Sequence, residues 1–143
     1  MRTILALVAV LVTACGAAQP GDDRYAEGQV WEYRTRPADA GSLMRIQKIE
    51  AFPSGGSERV YHISIIGVRL SNPGVQSVLQ HLPVSRETLD RSVTRLGSGG
   101  DFPGLAQTEE GIATWREAQG GIFTITLAEI VDVVDEQTRD FGK

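Results

Sequence analysis

Residues 59–70 limit the fold more than any other stretch of the chain. Val60, His62, Ser64, Ile66, Val68 and Leu70 alternate with Tyr61, Ile63, Ile65 and Arg69, the period of an extended strand. Both faces are apolar in the middle, so the segment predicts a central strand covered on both sides. Such a strand cannot stand alone; the rest of the chain must supply neighbours to pair with it and layers to cover it.

The preceding residues supply two neighbours. Over residues 29–35, Trp31, Tyr33 and Thr35 share one face and Glu32 and Arg34 the other. Residues 36–41, with Pro37 and Gly41, form a turn, and 43–51 form a second strand. Ile46 and Ile49 are three apart, so they share a face only across a bulge. Ser71-Asn72-Pro73-Gly74 is a strong turn, and 77–82 return as a fourth strand. Val75, Val78, Leu79 and Leu82 fit a short helix equally well.

Helical spacing takes over after Pro83. Ser85 is a good N-cap, and Leu89, Val93 and Leu96 follow on one helical face, with Glu87 four residues before Arg91. Gly97, Gly99 and Gly100 end that helix in a loop. Residues 108–118 predict a weaker helix, with Ile112 and Trp115 inward and Gly111 weakening it. Thr126 and Glu129 match a capping box, so a short extended entry precedes a helix over about residues 127–137. The β-branched content of 122–134 keeps a strand open there. Strands followed by helices point to α+β. The expected architecture is a four-stranded, mostly antiparallel sheet followed by two or three helices packed on one face.

The N-terminus carries an address. Met1-Arg2 is positive, residues 4–12 are unbroken apolar, and Val12-Thr13-Ala14-Cys15 follows, Cys15 being the only cysteine. The apolar run is shorter than the roughly 20 residues of a membrane span and fits a signal peptide. It resembles the lipobox of bacterial lipoproteins, in which the cysteine becomes the lipidated N-terminus. The resemblance covers residues 1–16. It implies a lipid anchor at Cys15, with the usual three acyl chains giving a stable tether at about 0.8 kcal/mol per buried methylene. Gly16 in place of Asp leans to the outer membrane, facing the periplasm. An ordinary secretory signal cut after Ala17 or Ala18 is the competing reading. The expected organisation is a signal peptide over 1–14, a small, polar tether over 15–27 and one globular domain over 28–143.

The net charge of −4 and the lack of a basic cluster argue against a nucleic-acid partner. With its one cysteine at the lipobox, the domain must be held by a hydrophobic core.

No motif fixes a reaction. His62 and His81 are the only histidines, too few for a zinc site without carboxylates such as Asp101. His62, mid-strand among apolar residues, reads first as a hydrogen-bonded core histidine. Ser64 or Ser85 can be written into a Ser–His–acid list, but no Gly-x-Ser-x-Gly elbow is present. Gly97, Gly99 and Gly100 lie between helices and lack a following Lys-Ser/Thr, so they read as a connector rather than a phosphate loop. Glu109, Glu110, Asp132, Asp135 and Glu136 read as solvated helix faces. Trp31, Tyr33 and Trp115 read as core. Of these Trp31 is the first choice for exposure, and with Arg91 and Arg95, one turn apart on the 85–96 helix, it marks a possible partner surface. No catalytic residue, cofactor or metal is expected. The sequence thus favours a lipid-anchored, non-enzymatic binding or adaptor module with an envelope-protein partner. A small ligand-binding or hydrolytic domain using His62 or His81 is the alternative.

Overall fold

A computed structural model describes residues 24–141; the signal segment, Cys15 and most of the expected tether lie outside the described residues. The described residues fold as α+β, with five strands in one open antiparallel sheet and three α-helices. The strands are β1 (Val30–Tyr33), β2 (Leu43–Ala51), β3 (Arg59–Ile66), β4 (Val78–Val84) and β5 (Val93–Leu96). Their order across the sheet is β4-β3-β2-β1-β5. The helices are α1 (Arg86–Ser92), α2 (Leu105–Glu117) and α3 (Leu127–Thr138). Among the described residues no helix is long and apolar enough to cross a membrane.

The strand over 59–70 lies inside the sheet as its two-sided pattern requires, although it ends at Ile66 because Gly67 turns the chain with φ +76°. Ile63 and Ile65 are fully buried on one face and His62 and Ser64 on the other. Fully burying such an aliphatic side chain contributes about 1.5–3 kcal/mol. Slipping the register by one residue would put the histidine and serine into the aliphatic core, so the pairing is strongly specified. The bulge expected between Ile46 and Ile49 is present: Ile46 pairs with Ile63 but Lys48 with His62, which leaves Gln47 as the extra residue.

Residues 85–96 are not one helix. Ser85 caps α1 as expected, its hydroxyl accepting from the Thr88 N–H at 3.1 Å, but α1 stops at Ser92 and Val93–Leu96 is the fifth strand. It pairs with β1, Tyr33 facing Val93 and Trp31 facing Leu96. The free edge of β1 offers unpaired backbone groups, and β-branched Val93 and Thr94 suit a strand better than a helix. Residues 78–84 likewise form a strand rather than the alternative short helix. Pro83 sits where β4 needs no N–H towards β3, and its carbonyl accepts from Phe123 N–H at 2.9 Å on the outer edge.

The helices do not share one face. Leu89 of α1 and Leu127, Ile130 and Val131 of α3 join Met44, Ile46, Tyr61, Ile63, Ile65 and Val84 in one core. α2 lies on the opposite face, where its Trp115 packs edge-on against His62. It starts earlier than its apolar spacing suggests, at Leu105, because the Gln107 side chain accepts the Gly104 N–H and closes the first turn. The tether is also shorter than expected. Tyr25 is buried against Trp31 and Tyr61, so the folded domain includes residues before 28.

Candidate functional site

One cluster of buried polar groups lies under α2. Alternation along β3 turns His62 and Ser64 away from the aliphatic core, and the bulge at Gln47 brings Gln47, Lys48 and Glu50 to the same face. Gln47 is buried and donates to Ser64 Oγ at 3.2 Å and to the Pro103 carbonyl at 2.9 Å. Ser64 donates in turn to the Gln80 carbonyl at 2.6 Å. β4 carries its own extra residue, with Ile63 facing Leu82 but Ile65 facing Leu79, so that His81 lies beside His62.

A continuous chain of hydrogen bonds results. His62 Nε2 lies 2.8 Å from Glu50 Oε1, and His62 Nδ1 lies 2.8 Å from His81 Nε2. Arg116 of α2 clasps the same carboxylate side-on, Nε donating to Oε1 at 3.3 Å and Nη2 to Oε2. Burial pushes the Glu50 carboxyl up, but the hydrogen bonds from Arg116 and His62 outweigh it together and hold it below its ordinary value. Burial lowers His62, against the opposing pull of Glu50. Burial, reinforced by His62, lowers His81 to about 4. Both rings are therefore neutral near pH 7. An ionised Glu50 assigns the proton of His62 to Nε2, which makes Nδ1 the acceptor for the His81 Nε2–H. The carboxylate thus polarises a pair of imidazoles in series.

Beside this chain lies a pocket of about 350 Å³. Phe52, Pro53 and Ser54, after β2, form one wall, and Trp115, Arg116 and Gln119, from the end of α2, form the other. Phe52 and Trp115 are tilted rings with centroids 6.2 Å apart. The Trp115 indole N–H donates to the Gly121 carbonyl at 2.8 Å, which fixes the ring. Arg116 thus links the pocket to the buried histidines through Glu50.

The other sequence candidates disperse. Trp31 is buried, its N–H donating to Gln29 Oε1, so it is not available as an exposed anchor. Arg91 lies on α1 and Arg95 on β5, so they are not a helical stripe. Arg91 makes the expected pair with Glu87 at 3.8 Å, while Arg95 grips Glu32 of β1 through two nitrogens. Ser85 is spent as a cap, and Asp101 is exposed away from both histidines' hydrogen bonds. Gly97, Gly99 and Gly100 lie on the connector from β5 to α2. Glu109 reaches Lys48 at 3.8 Å, and Glu110 and Glu136 are exposed. Asp132 is exposed, but Asp135 is buried rather than solvated. It accepts from the Ser71 N–H at 2.6 Å, from the Ser71 hydroxyl and from Arg36 Nη1 at 3.1 Å. Among the described residues no group of three or more His, Cys, Asp or Glu side chains is placed to hold a metal ion.

Sequence reasoning missed Glu50 and Arg116. Glu50 alternates with Ile49 at the end of β2, which places it opposite the aliphatic face, but no local pattern brings Arg116 to it. No family model matches the chain, and no curated protein or solved structure matches it.

Proposed function

We propose that the chain is a lipid-anchored bacterial envelope protein, held through Cys15 in the outer membrane and facing the periplasm, whose domain binds a partner protein. The observation that supports binding is the Phe52–Trp115 pocket. Two aromatic rings and a proline make its apolar part, while Ser54, Arg116 and Gln119 make its polar part. An apolar recess bordered by polar groups is how protein interfaces seat a single anchoring side chain. About 350 Å³ accommodates one large side chain with its backbone, at the small end of ligand pockets.

A photo-crosslinking residue at Gln119, activated in intact cells, tests this against the same residue at Glu136 on α3. Capture of one dominant envelope protein from position 119 alone is the expected result; identical or diffuse products from both positions would overturn it. The anchor is tested separately. Cys15→Ala should lose the lipid mass and leave the membrane fraction, and unchanged membrane association would contradict lipidation.

The Glu50–His62–His81 chain supports a second reading, a small hydrolytic or ligand-binding domain in which His81 acts as a base polarised through His62. The pocket meets this chain at Arg116, which favours the binding reading.

A further inference from the structure

The pocket's Arg116 is only half used, and the residue beside it holds a conformation unfavourable for its side chain. Arg116 gives Nε and Nη2 to Glu50, and its Nη1 makes no hydrogen bond with a described residue. A guanidinium presents two forks. Glu50 occupies the side fork, which leaves the end fork, Nη1 with the second Nη2 hydrogen, for another planar acceptor. The side chain is 44% exposed and lines the pocket. Glu50 also takes a hydrogen bond from His62, so its negative charge is shared rather than spent on Arg116 alone.

Gln119 supplies the independent observation. α2 ends in a Schellman turn, with Gly120 N–H donating to the Trp115 carbonyl at 2.9 Å and Gln119 N–H to that of Arg116 at 3.1 Å. The residue after the cap in this motif is left-handed and usually glycine. Here it is Gln119 at φ +50°, the only non-glycine with positive φ among the described residues. An L side chain is disfavoured there, and such outliers concentrate where ligands are held. Gln119 lines the same pocket as Arg116.

We propose that the pocket receives the C-terminus of a partner polypeptide. The apolar side chain of its last residue packs against Phe52 and Trp115, and its α-carboxylate accepts from the end fork of Arg116 with Gln119 as a second donor. A C-terminal residue carries an apolar side chain and a carboxylate on one carbon, which suits a pocket holding aromatic walls and an arginine within about 350 Å³. This inference rests on the binding reading above and narrows it to one class of partner.

The test titrates the full chain in mild detergent with three probes, N-acetyl-Leu-Phe as the free acid, its C-terminal amide, and N-acetyl-Phe-Asp-amide. Shifts of the Trp115 indole and Gln119 side-chain amide resonances are followed. The free acid should bind about tenfold more tightly than the amide, the size of one charge-assisted hydrogen bond. Arg116→Gln should remove that difference. Gln119→Gly should raise Tm by about 2–5 °C, because glycine suits the turn, and yet weaken the free acid. This variant keeps the test decisive if Arg116→Gln folds poorly. Equal binding of acid and amide would overturn the carboxylate contact, and equal binding of the Asp peptide would overturn the requirement for a terminus. No shift from any probe, with a protein still captured from position 119, would overturn this inference and leave the binding reading standing. No shift and no capture would remove both.

Discussion

Gly111 reads in the sequence as a flaw in a helix, and the structure gives the reason for it. A β-carbon at this position would lie 2.9 Å from His81 Cβ and 3.1 Å from His81 Cγ and Nδ1. The nearest atom is the stem of the histidine, which cannot swing aside as a chain end can. Ala in place of Gly favours a helix by about 1 kcal/mol. Forcing a methyl group into a packed contact costs about 1–3 kcal/mol. Gly111→Ala should therefore lower stability by about 1 kcal/mol, read as a shift of the urea midpoint at unchanged slope. A stabilised variant would show that α2 does not press on His81. Single residues were legible where the relevant partner is local. Ser85 and Thr126 were read as caps because cap and amide are three residues apart, and both bonds are present. His62 was read as a hydrogen-bonded core histidine from its apolar neighbours and is one. Its partners were not legible, since nothing near Glu50 announces an arginine 66 positions later.

At the scale of elements, an apolar spacing shared by two geometries misleads. Leu89, Val93 and Leu96 fit a helix face, yet only the first is helical; Val93 reaches the core from a strand and Leu96 is left 58% exposed. The deciding factor is the edge of β1, which local sequence does not show. The junction between α3 and the loops was hidden for a similar reason. Arg36 binds Asp39 through Nε at 2.6 Å and Nη2 at 3.1 Å, and its Nη1 reaches Asp135 and Asp132 of α3. Asp39 accepts from the Arg69 N–H at 2.7 Å, and Asp135 from the Ser71 N–H at 2.6 Å. One arginine and two buried aspartates thus tie the β1–β2 and β3–β4 connections to α3. Asp135 and Asp132 are one turn apart and touch the same guanidinium, but only Asp135 is buried. Asp135→Ala removes a buried carboxylate that accepts from the Ser71 amide and hydroxyl and from Arg36, and should cost about 1–3 kcal/mol. Asp132→Ala removes an exposed pair and should cost less than about 1 kcal/mol. Chemical denaturation of the two variants separates burial from charge; equal losses would show that the network acts by charge alone.

For the whole molecule, the α+β class followed from the change of periodicity along the chain, but the layering did not. The face of β3 that carries His62 and Ser64 is as buried as the face that carries Ile63 and Ile65. It is covered by α2 through a polar layer, and a polar layer has no hydrophobic signature to place a helix on it. That arrangement makes the stability of the fold depend on two neutral imidazoles. His62 Nδ1 accepts from His81 Nε2–H, so a proton added to His62 sets two donors against each other across 2.8 Å. The groups facing the pair are Glu50 and Lys48 of β2 and Arg116 of α2, of which only Glu50 favours the charged form. Both histidines are held below their ordinary pKa of 6.5, His81 at about 4. In the unfolded chain they protonate near 6.5. Between those limits the unfolded chain binds more protons than the native one, so stability falls as the pH falls. Glu50 and Asp135, held below their ordinary values by hydrogen bonds, add to the loss only once the pH reaches the carboxylate range. The urea midpoint should therefore be level from pH 8 to 7, decline from about 6.5, and steepen below about 4.5. His81→Gln should flatten the middle part of that curve and leave the acid end in place. A midpoint that holds level from pH 7 down to 5 would mean that the pair accepts protons as readily folded as unfolded, and α2 would then be docked by its apolar contacts, Ile112 and Trp115, rather than through the histidines.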